Sequence, residues 1–321
     1  MKKFVSVLLI LSLILSFAGC GAAGDGKKLT VAVVQQLDHS SLEQIRLAIH
    51  DQLSELTQVE MEIRDFNGQN DSSMLNQIGA QIVADGYDLI IPIGTLAAQA
   101  MVTAAEGTDI PIVYAAISDP ESAGLTGFSN VTGTSDALDT QLILEMLLTA
   151  DPDASAVGLL YSNSETNSQL PIAQAKAWLE GKGIACVEAT GNTADEILTA
   201  AASLVGAVDA VFTPTDNAVM AVAGAVAEVL TEAGIPHYTG ADSFVTAGAF
   251  ATCGVNYTQL GEQTAQMAFD ILQGGQISDF QTLPGGIVTV NTETAAALGI
   301  DPAVFSALKK VTQVETVTTR G

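Results

Sequence analysis

Two α/β lobes, each a parallel sheet flanked by helices, are predicted by three features of this 321-residue sequence. Short apolar runs alternate with segments whose apolar residues recur at helical spacing, which is the pattern of β–α units. The alternation runs once through residues 29–115 and restarts after Asp151-Pro152. The two passes also match in detail, since residues 90–101 (IIPIGTLAAQAM) and 211–222 (VFTPTDNAVMAV) both read as strand, proline-containing turn and helix. A chain of this length also exceeds what one compact core usually serves.

Each element has its own signal. Residues 29–34 (LTVAVV) form an apolar run and read as a buried strand, on which Leu42, Ile45, Ile49, Leu53 and Leu56 place a helix. Strands at 59–63, 89–93 and 110–115 and helices at 74–83 and 96–105 complete the first pass. The second has strands at 156–161, 184–188, 210–213 and 235–238, with helices at 171–180, 194–205 and 218–230. A third phase follows, with a strand at 249–255, a helix at 260–272, a strand at 287–290 and a tail helix near Thr294. In both passes the polar loops fall at the carboxyl ends of the strands, where open α/β sheets bind ligands.

The N-terminus is expected to be a leader. Lys2 and Lys3 precede an apolar, uncharged run at 4–19, which is short for a membrane span and reads as a signal peptide over 1–19. Phe17-Ala18-Gly19-Cys20 resembles the lipobox of bacterial lipoproteins, with Phe17 where Leu is usual. That resemblance implies cleavage before Cys20 and lipidation of its thiol, with 20–28 as a lipidated tether. No later stretch reads as a span.

Composition narrows the function. With 36 acidic and 11 basic residues the formal charge is −25, and it falls to −27 when the leader takes Lys2 and Lys3 away. Nothing here supplies the basic footprint of a nucleic-acid binder. The same charge repels anionic lipid, so membrane contact is expected only through the lipid anchor. Three cysteines make no disulfide framework; Cys186 and Cys253 are expected as free thiols, with a bridge between them the alternative. His39, His50 and His237 lack metal-ligand spacing, and no GxGxxG, P-loop or GxSxG motif occurs. No enzyme activity, cofactor or metal is expected.

Several segments carry a family resemblance: 30–49 (TVAVVQQLDHSSLEQIRLAI), GTLAAQA at 94–100, AISDPESAGL at 116–125, NVTGTSD at 130–136, GLLYSNSETNS at 158–168, PTDNAV at 214–219 and GVNYTQLGEQTAQMA at 254–268. Together they resemble the substrate-binding lipoproteins of ABC importers, specifically the group that binds aromatic amino acids. The resemblance implies a type I periplasmic-binding-protein fold, two Rossmann-like lobes joined by three crossovers. It divides the chain into lobe I, 29–133 plus 255–290, and lobe II, 134–254 plus 291–321. It further implies a monomer that hands a small ligand to an ABC permease, with a sensor of the same fold as the alternative role. Another amino acid, a purine-like ring or a sugar is the alternative ligand.

An amino acid needs donors for its carboxylate and acceptors for its ammonium. Helix N-termini and hydroxyls supply donors, which points to Thr95, Ser118, Ser164, Asn167 and Ser168. Asp216 and Glu165 are the first candidates for the ammonium, with Asp242 behind them, and Asn217, Gln36 and His39 stand in the same polar loops. Each also fits a structural role: Asp216 and Thr95 as helix caps, the Asn and Ser residues as turn formers. Asn256 is a candidate that departs from the resembled pattern, where an aspartate is expected.

Overall fold

The computed structural model describes residues 28–56 and 59–317. The leader and Cys20 lie outside them. The first pass forms β1 (Leu29–Gln35), α1 (Ser40–Glu55), β2 (Met61–Asn67), α2 (Ser72–Asp85), β3 (Leu89–Ile93), α3 (Thr95–Ala104), β4 (Ile112–Tyr114) and β5 (Val131–Ser135). The second forms α4 (Thr140–Ala150), β6 (Ala156–Tyr161), α5 (Thr166–Lys182), β7 (Ala185–Thr190), α6 (Ala194–Ser203), β8 (Ala210–Thr213), α7 (Asn217–Met220), α8 (Ala223–Glu232), β9 (His237–Thr239), α9 (Asp242–Thr246) and β10 (Ala251–Gly254). Then come α10 (Tyr257–Leu272), β11 (Gln281–Thr282), β12 (Ile287–Asn291), α11 (Thr292–Leu298), a 3-10 turn at Pro302–Ala307 and β13 (Val311–Val314).

These strands make two sheets, ordered β11-β5-β4-β3-β1-β2 and β13-β12-β10-β9-β8-β6-β7. All pairings are parallel except β10 with β12. One face of the first sheet packs on α2 and α3 through Leu75, Ile82 and Met101, and one face of the second on α4 and α5 through Ile143, Leu147, Ile172 and Leu179. The other faces, with α1 and α10 on one side and α6 to α9 on the other, join a single apolar cluster spanning both lobes.

The chain passes between the sheets three times: after Ser135, after Gly254, and between Leu283, whose N–H bonds the Ser135 carbonyl at 2.9 Å, and Ile287. The last crossing corrects the expected boundary at 290. Residues 287–290 belong to the second sheet, because Val288 and Val290 bury themselves in its core while β12 runs antiparallel to β10.

Three further expectations change. Helix α5 begins at Thr166, ahead of Pro171, which sits inside it at the cost of one hydrogen bond to the Asn167 carbonyl. The helix expected over 218–230 is two, broken where Val222 leaves helical geometry at φ −124° and ψ 19°. The short elements α9, β11 and β13 carry too few residues for a periodic signal. Cys186 and Cys253 are free.

Candidate functional site

The loops after β1, β3 and β4 face the loops after β6, β8 and β9 across the cleft between the lobes. Each sheet contributes strands that end in polar residues, because a strand end is where the buried ladder stops and side chains can turn outward. Gln36 shows how tightly the first lobe's rim is built. It is fully buried, its Oε1 accepts from the Leu96 N–H at 3.0 Å, and its Nε2 donates to Asn70 Oδ1 at 2.8 Å. The Gln36 amide thereby caps α3, whose own N-cap, Gly94, has no side chain to do so. Gly94 also adopts φ +93°, and a Cβ there would stand 2.8 Å from the Gln36 oxygen, so only glycine serves.

Among the described residues, four side-chain hydrogen bonds cross the cleft. Ser41 Oγ donates to Ser243 Oγ at 2.6 Å, and Gln36 Nε2 to Glu165 Oε1 at 3.3 Å. His39 Nδ1 faces the Leu42 N–H that it caps, so its Nε2–H donates to Asn217 Oδ1 at 3.0 Å. Thr215 Oγ1 and Ser118 Oγ lie 2.9 Å apart, and Ser118 Oγ also reaches Asp136 Oδ1 at 2.9 Å. With Ser118 donating to the carboxylate, Thr215 donates to Ser118.

These bonds close the lobes over a small cavity of about 30 Å³, room for a water molecule or two, so a ligand of amino-acid size enters only as the lobes part. Its wall has a polar end at Asp136, Ser118, Thr215, Asn167 and Asp216. An apolar flank is formed by Leu42, Met220, Ala241 and Phe244. Neither Lys nor Arg lines it.

The polar end is dominated by buried carboxylates. Asp136 accepts from Ser118 and, through Oδ2, from the Tyr257 hydroxyl at 3.1 Å, and burial pushes its carboxyl above the usual range. Asp216 is fully buried: Oδ2 accepts from the Ser162 N–H at 2.7 Å and Ser168 Oγ at 2.6 Å, and Oδ1 caps α7 through the Val219 N–H at 3.0 Å. Burial raises its pKa against those donors. Glu165 accepts from Gln36 and, at 2.9 Å, from Asn217 Nδ2; burial first and the neighbouring Asp216 charge second push it up to about 7. Asn167 Nδ2 donates to the Thr215 carbonyl at 2.7 Å, while its Oδ1 is buried without a partner among the described residues.

The sequence candidates therefore separate. Thr95, Ser118, Asn167, Asp216, Asn217 and His39 line the cavity. Glu165 and Ser168 stand one bond behind its wall, on Asn217 and Asp216, and Gln36 ties Glu165 to the first lobe. Ser164 is exposed and bonded to Ser162. Asn256 is exposed and caps α10 through the Gln259 N–H, and with Asp242 it lines a separate hollow beside the second crossover. Asp136, Tyr257, Thr215, Ser41, Ser243, Met220 and Phe244 line the cavity without having been singled out. Asp136 and Tyr257 do lie in NVTGTSD and GVNYTQ, but no spacing links them, because two crossovers bring them together. His237 is buried, faces Thr213 Oγ1 at 2.8 Å and is held neutral by burial at a pKa of about 3. Among the described residues no cluster of His, Cys, Asp and Glu suits a metal.

Residues 30–308 match the family model of the ABC transporter substrate binding proteins. The chain belongs to that family. It is a family of transporter solute-binding proteins, not of enzymes, and its type I periplasmic-binding-protein fold is shared at 13–14% identity with an ABC sugar transporter subunit of Rhodobacter sphaeroides and a Bacillus halodurans solute-binding protein with bound myo-inositol. This substrate-binding protein is 31% identical over 296 residues to the tyrosine-binding protein of Clostridioides difficile, across 87% of this chain and 85% of that one. It superposes with a TM-score of 0.83 and 28% identity on a Streptococcus pneumoniae ABC domain in complex with L-Trp, covering 89% of this chain and all of that one. The ligand-free, open structure of a Clostridium difficile substrate-binding protein with adhesive properties scores 0.68 at 30% identity, over 90% of this chain and all of that one. A better fit to the ligand-bound relative than to the open one, at similar identity, agrees with the closed cleft seen here.

Proposed function

We propose that this substrate-binding protein captures an aromatic amino acid in the interlobe cleft and presents it to an ABC permease. One observation carries the choice of ligand: the cavity wall divides into a charged, hydrogen-bonding end and an apolar flank of Leu42, Met220 and Phe244. An amino acid with a large apolar side chain has that same division, with the ammonium toward Asp136 and Asp216 and the ring against Phe244. Thr95, at the opening of α3, supplies a hydroxyl for the carboxylate. The tyrosine- and L-Trp-binding relatives support the same class.

The remaining expectations join this reading. The protein is secreted behind its 1–19 leader, anchored through lipidated Cys20 on the outer face of the cytoplasmic membrane, and works as a monomer. Among the described residues no helix is long and apolar enough to cross a membrane. Substituting Cys20→Ala is expected to leave an uncleaved precursor; normal processing and membrane extraction of that variant defeats the anchor.

The ligand is tested by a thermal-shift screen of the mature chain against amino acids, nucleosides and sugars. A ligand at 100 times its Kd adds about 2.7 kcal/mol. Stabilisation by tyrosine or tryptophan is expected; stabilisation by a sugar or nucleoside alone overturns the assignment.

A further inference from the structure

We propose that the cleft recognises its ligand through the protonated amine rather than the carboxylate, so that arylalkylamines with no carboxylate are ligands alongside the aromatic amino acids. The inference rests on the reading above and concerns which end of the ligand carries recognition.

The hydrogen-bonding capacity of the wall is lopsided. On the acceptor side stand Asp136 and Asn167 Oδ1, backed by the charge of Asp216, whose oxygens are already held by Ser162, Ser168 and Val219. Asn167 is only 5% exposed, and its orientation is set by the Nδ2 bond to the Thr215 carbonyl, so Oδ1 cannot turn away to find a donor. That oxygen has no partner among the described residues, and an orphaned buried acceptor is unfavourable until a donor arrives. Among the described residues Asp136 takes side-chain hydrogen bonds from Ser118 and Tyr257, whereas a carboxylate offers about four lone-pair sites. An ammonium carries three donors and a charge, which suits the open acceptors of Asp136 and Asn167 and the nearby charge of Asp216.

The donor side is nearly spent. Ser118 and Tyr257 hydroxyls point at Asp136, and Thr215 points at Ser118. Ser41 donates to Ser243, which in turn has only the Met220 thioether at 3.3 Å. His39 Nε2–H goes to Asn217. Thr95 is the wall hydroxyl left without a partner among the described residues. A ligand carboxylate thus finds few free donors, no cation, and two like charges nearby, which in a closed, water-poor cleft repel it more than bulk water would allow. Burial raises Asp136 and Asp216 by stripping water from their charged forms; a bound ammonium offsets that loss.

Calorimetry on the whole mature protein decides it, with ligands sharing one ring: tyrosine, tyramine and 3-(4-hydroxyphenyl)propanoate, then tryptophan, tryptamine and 3-(indol-3-yl)propanoate. Each amine is expected to bind within about tenfold of its amino acid, and each propanoate about a hundredfold weaker. An amino acid that binds while its amine falls more than about tenfold short, or while its propanoate stays within about tenfold, overturns the inference and leaves the aromatic amino acid reading standing. Binding of none of the six defeats that reading itself, and the inference with it. The variant Asp136→Asn, checked for melting, is expected to weaken amino acid and amine alike by about a hundredfold and to spare the propanoate. An equal loss for all three assigns Asp136 to hinge structure and overturns its part in recognition.

Discussion

Tyr257 donates its phenolic hydrogen to Oδ2 of Asp136 at 3.1 Å, across 121 residues of sequence. Asp136 begins the first crossover between the sheets and Tyr257 ends the second. One bond therefore ties two of the three hinge segments together, at the edge of the cavity they both line.

Replacing Tyr257→Phe keeps the ring in the core and removes only the hydroxyl. Asp136 is then left with Ser118 as its side-chain donor. A buried acceptor that loses a partner costs about 1–3 kcal/mol, so the variant is expected to unfold earlier in urea by that amount. An unchanged midpoint shows that the bond carries no weight in the hinge.

Asp216 takes three donors on two oxygens, and two of them come from the loop after β6 and from α5. A residue that merely capped α7 would tolerate Asn, since Asn caps about as well as Asp. Here Asp216→Asn turns its NH₂ group either toward the Val219 N–H or toward the Ser162 N–H and Ser168 Oγ, so in either orientation a backbone donor loses its acceptor. The expected loss is about 1–3 kcal/mol of stability without any ligand, read by chemical denaturation. Wild-type stability reduces Asp216 to a cap.

Glu165 sets a pH dependence. Its carboxyl is raised from 4.5 to about 7 in the folded, closed protein. The folded state therefore binds more protons than the unfolded one in this window, and stability falls as pH rises from about 4.5 through 7. The same sign applies to closure, because opening returns Glu165 to water. Scattering is expected to give a larger radius of gyration above pH 7 than below it, and Glu165→Gln is expected to flatten the change. A radius that grows toward low pH contradicts this account.

Ser41→Ala removes the shortest of the four cross-cleft bonds while sparing the helix caps. Closure is expected to weaken by about 0.5–1.5 kcal/mol. Spin labels on the two lobes report it as a shift of population toward longer distances. An unmoved distance distribution means that the remaining three bonds hold the cleft alone.

Much of this protein was legible in one dimension. Strand runs such as 29–34 and 89–93 are apolar because both faces of a parallel sheet are covered, so periodicity and length locate them from local residues alone. The repeat of strand, turn and helix at Thr95 and Thr215 likewise placed Thr95, Asp216 and Asn217 on the cavity wall, and other polar loops at strand ends placed His39, Ser118 and Asn167, because such loops face the cleft in any fold of this plan. Tertiary structure alone decided the rest. Residues 287–290 were expected in lobe I, and only the packing of Val288 and Val290 assigns them to the second sheet. Glu165 and Asp216 read as partners for a ligand ammonium, Asp216 also as a helix cap, yet burial and donors from distant segments make one a cross-tie and the other a three-way anchor. Asp136 and Tyr257 had no signal at all as a pair. Hydrogen bonds act over about 3 Å, and nothing in a linear sequence records which residues two hinge crossings will carry to within that distance.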